Sequence, residues 1–192
     1  MSAFEIIGVV TGIVGVWLTT RQKIWCWPVG LISVLAFIVV FFEAKLYGAM
    51  GLQVVYVVLL CYGWYAWLHG GAGRGELVVS RIPWKFLLPL AAAGVAASVM
   101  AGVWFLPRTD ESMPILDAST TSFSLIAQWM QTRKYVENWL VWIVVDVAYV
   151  GMTMAQGLNL TAGLYFIYIA LAVMGYRDWR RSMAKSSDAQ LG

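Results

Sequence analysis

The sequence predicts an all-α integral membrane protein with seven transmembrane helices laid out as a 3+1+3 parallel repeat. Three observations predict it. Of the 192 residues 61% are hydrophobic and only 12% are charged, about half the charge of an ordinary soluble domain. Seven apolar stretches are each near the ~20 residues needed to cross a bilayer. The chain also aligns with itself without a gap, the segment starting at Thr20 falling on the segment starting at Thr132. Lipid, rather than water, is the solvent that such a sequence suits.

The first stretch, 3–19, has no basic n-region and its positive charges follow it. It therefore reads as a spanning helix rather than a cleaved signal peptide. Spans follow at 27–43 and 46–68, completing a first repeat over 1–68. Residues 69–113 read as a flexible cytoplasmic linker (HGGAGRGELVVSRIPWK at its start, with Trp84 interfacial) and a linker helix over 85–105. The second repeat covers 114–181, with spans at 114–131, 136–155 and 158–178. Residues 182–192 are polar and predict a disordered cytoplasmic tail. Two cysteines, Cys26 and Cys61, one of them inside an apolar run, predict no disulfide framework.

Orientation follows from lysine and arginine, which concentrate on the cytoplasmic side. Eleven of the thirteen basic residues fall on one side, in the turns near Arg21, Arg81 and Arg133 and after Arg177. The other side keeps Lys45 and Arg108. This places the N-terminus outside and the C-terminus in the cytoplasm. An odd number of helices fits that split.

The self-alignment lays 20–67 on 132–179 with ten identities, among them Thr20/Thr132, Arg21/Arg133, Trp27/Trp139, Gly51/Gly163, Tyr56/Tyr168, Gly63/Gly175 and Trp67/Trp179. It carries helices 1–3 onto helices 5–7, four spans later, so both copies have the same orientation. Transporters use such plans, with substrate near the midplane between the halves.

Asp146 stands in the middle of a span, where an insertion scale charges about 2.5–3.5 kcal/mol for it. No Lys, Arg or His is placed at matching depth, so its counter-charge can be the substrate. Trp139, Trp142, Asp146 and Tyr149 are spaced 3, 4 and 3, one face of a helix. The first-repeat equivalents of Trp142 and Asp146 are Gly30 and Val34, so this polar face is not duplicated. In the third helix Gln53, Tyr56 and Trp64 follow helical spacing. The fifth carries Thr121, Ser124 and Gln128 on one stripe, where hydroxyls also serve as helix–helix contacts. Tryptophans at span ends, such as Trp25, Trp67 and Trp179, are more often interfacial anchors. A carboxylate among indole and phenol rings suits a flat, positively charged aromatic molecule.

These segments resemble the PnuC family of bacterial vitamin transporters. The resemblance lies in WPVGLISVLAF and FFEAKLYGAMGLQVVYVVLLCYGWYAW, then TRKYVENWLVWIVVD and GLYFIYIALAVMGYRDW. The specific part is RKYVENW, followed by a tryptophan and, four residues on, Asp or Asn. The resemblance implies a SWEET-like fold, a homotrimer, and uptake of nicotinamide riboside by facilitated diffusion, with a cytoplasmic kinase trapping the product. Thiamine and riboflavin are substrates of relatives. It implies a substrate site of Trp139, Trp142 and Asp146 with Gln53, Tyr56 and Trp64. The departure is Asp146, where nicotinamide riboside members carry asparagine, and it leaves thiamine open beside nicotinamide riboside.

No cofactor or metal site is expected, and no nucleic-acid partner: there is no CxxC or Cys/His cluster, and the +3 net charge is modest. Nothing supports driven transport, since there is no GxxxxGK[ST] motif and no chain of buried carboxylates. The sequon at Asn159 lies too close to the membrane. Two other classes compete with a transporter. An intramembrane enzyme using Asp146 as general base would need a nucleophile, metal or second buried carboxylate. A non-transporting scaffold would need no ligand site.

Overall fold

The computed structural model describes residues 2–105 and 113–188. Among them run seven α-helices: α1 (Ala3–Thr20), α2 (Cys26–Glu43), α3 (Tyr47–His69), α4 (Trp84–Phe105), α5 (Pro114–Thr132), α6 (Asn138–Ala155) and α7 (Asn159–Asp188). Six are long and apolar enough to cross a membrane by length and composition. The exception is α5, which corrects the expectation of seven comparably apolar spans. Asp117, Thr120, Thr121, Ser122, Ser124 and Gln128 lower its hydropathy, and several of them turn toward the molecule's interior. Arg108, Asp110 and Glu111 lie outside the described residues.

Helix starts and turns follow from local chemistry. A capping box of Ser2 and Glu5 opens α1, and Pro114 opens α5, where a missing N–H costs nothing. The α1–α2 and α5–α6 turns have the same construction. Gln22 and Lys134, matched positions in the self-alignment of the sequence, adopt left-handed φ of 55° and 52°. In the first turn Lys23 N–H donates to Leu18 C=O, and in the second Tyr135 N–H donates to Met130 C=O. At the opposite end Lys45 (φ 59°) and its repeat equivalent Gly157 (φ 74°) turn the chain between α2 and α3 and between α6 and α7.

Neighbouring helices close a ring in the order α1, α2, α3, α5, α6, α7 and back to α1, while α4 packs outside on α5. The α1–α2 contact is close because Gly15 faces the Gly30 backbone and Ser33 donates 2.7 Å to Gly8 C=O. Helix association in lipid rests on packing and interhelical hydrogen bonds rather than on apolar transfer. The outward faces fit that solvent: Val58, Leu88, Met100, Val144 and Leu160 are all exposed.

The end of the ring that carries most basic residues is filled by four tryptophans. Trp27 meets Trp67 edge-on at 5.1 Å, Trp139 meets Trp179 edge-on at 5.4 Å, and Trp67 meets Trp179 at 5.8 Å. Trp27 presses on Gly63 and Trp139 on Gly175, where no Cβ would fit. The hydrogen bonds cross between halves: Trp67 Nε1 donates to Gln131 C=O (3.1 Å) and Trp179 Nε1 to Thr19 C=O (3.0 Å). Every member of one set is the repeat equivalent of its counterpart in the other. Edge-on aromatic pairs contribute about 0.5–1.5 kcal/mol each beyond area burial. Trp67 and Trp179 are thus buried packing residues, 2% and 0% exposed, rather than the interfacial anchors that their span-end positions predict.

The segment between α3 and α4, expected to be a flexible linker, is paired along its second half. Leu77 N–H donates to Trp67 C=O, Ser80 exchanges two backbone hydrogen bonds with the α5–α6 turn, and Ile82 N–H donates to the Glu137 carboxylate. Val79 and Ile82 are buried. Of the polar tail expected over 182–192, the part up to Asp188 continues α7, and 189–192 lie outside the described residues.

Candidate functional site

A cavity of about 960 Å³ occupies the centre of the ring, with lining residues from all seven helices. That is at the upper end of the ~300–1,000 Å³ typical of small-molecule sites. Its floor is the tryptophan cluster, through Trp27 and Trp139. Toward the other end its lining reaches Phe41, Leu46 and Pro114, and Leu46 is exposed. The cavity is therefore closed at the basic end and extends to the opposite end.

The α6 face has the composition its spacing predicts. Trp139, Trp142, Asp146 and Tyr149 all line the cavity. Asp146 is 5% exposed and has neither an ion pair nor a hydrogen bond among the described residues. Among the described residues no Lys, Arg or His stands in the lining. Its ionised form therefore carries an uncompensated cost, which a cationic ligand would relieve.

Gln53 and Tyr56 from α3 and Thr121 and Gln128 from α5 join it. Gln128 is 7% exposed, and its buried Nε2 has no hydrogen-bond partner among the described residues. Ser124 donates within its own helix, to Thr120 C=O. Of the nine expected site residues, Trp64 is the one the structure sets apart. It is 37% exposed and outside the lining, because the inward face of α3 carries Gln53, Tyr56 and Leu60 instead. Trp139 lines the floor but is 1% exposed, so it serves mainly as packing against Gly175.

Sequence reasoning missed Tyr165 and Tyr168. Tyr165 stacks on Tyr149 with ring centres 4.7 Å apart and planes 9° from parallel, and meets Tyr168 edge-on at 6.2 Å. The signal was present: Tyr165 and Tyr168 are the repeat equivalents of Gln53 and Tyr56. It also left out Asp117, which falls within the span expected at 114–131 but not among the expected site residues. The structure places it in the first turn of α5, lining the cavity, four residues before Thr121 on the same stripe.

Behind the floor, outside the spans, Lys134 is 6% exposed with its ammonium 4.3 Å from the Trp67 ring centre. Burial pulls it below the usual lysine range, and Glu76 opposes that.

Comparison with known proteins bears on this arrangement. A family model described as nicotinamide mononucleotide transporter matches residues 2–181. The chain is 31% identical over 178 residues to the riboflavin/roseoflavin transporter RibM of Streptomyces davaonensis, covering 91% of this chain and 83% of that protein. It is 29% identical to the nicotinamide riboside transporter PnuC of Escherichia coli, covering 95% and 87%. Among solved structures it is similar to that of the vitamin B3 transporter PnuC, with TM-score 0.75 and 26% identity over 95% of this chain and 82% of that one.

Proposed function

The chain belongs to the nicotinamide mononucleotide transporter family, that of the PnuC transporters, and we propose that its cargo is nicotinamide riboside. Like its relatives it is a membrane transporter of a B vitamin and not an enzyme. The observation that carries the substrate reading is the buried carboxylate of Asp146, which faces a cavity with aromatic walls and, among the described residues, no cation. A pyridinium ring supplies the missing charge. Tyr149, Trp142 and Tyr56 offer ring faces for it, and Gln53, Gln128 and Thr121 suit the ribose and amide groups.

Riboflavin, the substrate of RibM, is neutral and would leave Asp146 uncompensated. Thiamine, another aromatic cation, is the second reading, favoured by an aspartate where asparagine was expected. Both cations call for the same carboxylate.

Movement is by facilitated diffusion, with a cytoplasmic kinase trapping the product. The basic end faces the cytoplasm, as the distribution of Lys and Arg supports, so the cavity described above faces outward. The scaffold is a 3+1+3 parallel repeat of SWEET type, with α1–α3 and α5–α7 as repeats (1–68 and 114–181) and α4 within the 69–113 linker. The turns, tryptophans and hydrogen bonds that recur at equivalent positions of the two repeats support it. The protein assembles as a homotrimer in the inner membrane.

A calorimetric screen of nicotinamide riboside, thiamine and riboflavin against purified protein tests the substrate. Heat from riboflavin alone would overturn the cation reading. Proteoliposomes loaded with neither ATP nor an ion gradient should equilibrate the labelled vitamin; a requirement for either would end the facilitated-diffusion assignment.

A further inference from the structure

Two carboxylates, not one, line the cavity, and they stand at different depths. Asp146 is eight residues into α6 from the basic end, and Ser124 is eight residues before the end of α5 at that same end. At 1.5 Å per residue both lie about 12 Å deep from that end. Asp117 is fifteen residues before the end of α5, about 22 Å by the same rise. It thus sits about 10 Å toward the open end. It is only part-buried, and none of the described cations pairs with it.

Between the two depths run Thr121, on the α5 stripe that begins with Asp117, and the Tyr149–Tyr165 stack opposite. Tyr149 lies within electrostatic reach of Asp117, and Tyr165 within reach of Asp146. At the inner end of the stripe the buried Gln128 amide donor is unpartnered. The stripe therefore has a charge at its mouth, hydroxyl and amide groups along its length and ring faces opposite. That order suits a cationic ring carrying hydrogen-bond acceptors.

An aspartate in the first turn of a helix is often explained by the helix dipole alone. That explanation requires no cavity and predicts an effect on stability, not on ligand kinetics.

We propose that Asp117 is an entry carboxylate, which captures the cationic ring at the cavity mouth before it passes to Asp146. It is a specificity-determining residue for the transport reaction: Asp117 governs the rate of association and Asp146 the residence time. The inference rests on the reading of the cargo as an aromatic cation. A negative charge at the mouth of a low-dielectric cleft raises the local concentration of cations and their on-rate, and salt screens the effect.

The test is stopped-flow tryptophan fluorescence on the full chain, with nicotinamide riboside and thiamine as probes at low and high salt. Asp117→Asn should slow association about tenfold at low salt. The deficit should shrink at high salt, the dissociation rate should hold, and Asp117→Glu should restore association. Asp146→Asn should instead raise the dissociation rate. Wild-type association in Asp117→Asn, a deficit that salt leaves unchanged, or a defect confined to dissociation or thermal stability overturns the inference alone. Failure of the wild-type chain to bind either cation overturns the cargo reading, and the inference with it.

Discussion

Glycine-to-alanine exchange at four positions measures how much the tryptophan cluster depends on close approach. A Cβ on Gly175 would sit 2.5 Å from Cε2 and Cζ2 of the Trp139 indole, and one on Gly63 would overlap the Trp27 ring. Ordinary contact begins near 3.4 Å, so each indole must retreat by about 1 Å. Neither has room: Trp27 and Trp139 are 0% and 1% exposed and each meets a further tryptophan edge-on. Overpacking of this kind costs about 1–3 kcal/mol, partly offset by the gain of up to about 1 kcal/mol from replacing a helical glycine. Gly51 and Gly163 serve as internal controls, since a Cβ there meets nothing within 4 Å. Alanine at these two should be neutral or stabilising. Thermal unfolding of the four variants in one detergent, followed by tryptophan fluorescence, should lower Tm by about 2–8 °C for Gly63→Ala and Gly175→Ala. Wild-type Tm in those two, or equal losses in all four, would refute the close-approach reasoning. Trp139→Leu combined with Gly175→Ala should recover part of the loss, because the pair shares one contact.

Asp146→Ala should weaken binding of nicotinamide riboside or thiamine by about 30- to 1,000-fold. That is roughly 2–4 kcal/mol, bounded above by the ~4 kcal/mol of a charge pair at 4 Å in an effective dielectric of 20; affinity within twofold of wild type by calorimetry would remove Asp146 from the site. Trp67→Phe and Trp179→Phe each delete one inter-half hydrogen bond, while the acceptor carbonyls of Gln131 and Thr19 keep the backbone N–H of Lys134 and Gln22. The two should lose similar stability, about 0.5–1.5 kcal/mol, and a threefold disparity in their Tm losses would break the equivalence. Lys134 has its pKa lowered by burial, so the unfolded chain binds the proton more tightly. Stability should therefore rise as pH increases from the lowered value toward 10.5, and Lys134→Met should flatten that rise, as a pH series of unfolding midpoints can show.

Most of the helix layout was legible because the apolar stretches and their ends are local signals. Pro114, the left-handed turn residues and the repeat register each act within a few residues or at one fixed spacing. The α6 face was legible for the same reason, since helical spacing places Trp142, Asp146 and Tyr149 together without any tertiary knowledge. What escaped depends on neighbours distant in sequence. The inward face of α3 is set by which helices flank it, so Trp64 could not be told from Tyr56 by spacing alone. The pairing of Ser80 with the α5–α6 turn joins segments far apart in the chain, and a glycine-rich stretch gives no hint of such a partner. Asp117 escaped for the same reason: an acidic residue in a first helical turn also suits the helix dipole, and only the neighbouring helices show that this one lines a cavity.

The correspondence between the two repeats holds at some positions and fails at others, and the division follows burial. Where side chains pack on one another it holds: Trp27 with Trp139, Gly63 with Gly175, Trp67 with Trp179. Where side chains face the cavity it breaks at most positions (Gly30 against Trp142, Val34 against Asp146, Phe37 against Tyr149, Gln53 against Tyr165), while Tyr56 and Tyr168 keep it. Both outcomes have a physical reason. A floor formed by two halves opens and closes most evenly when each half makes the same contacts, so that neither is the weaker. A vitamin with a charged ring at one end and hydroxyls at the other has no twofold symmetry, and two equal walls would serve one of its ends badly. Duplicating Asp146 at Val34 would also add a second buried charge with a single cation to answer both. Val34→Asp should therefore weaken binding rather than strengthen it; tighter binding of either cationic vitamin would show that the cavity's asymmetry has another cause.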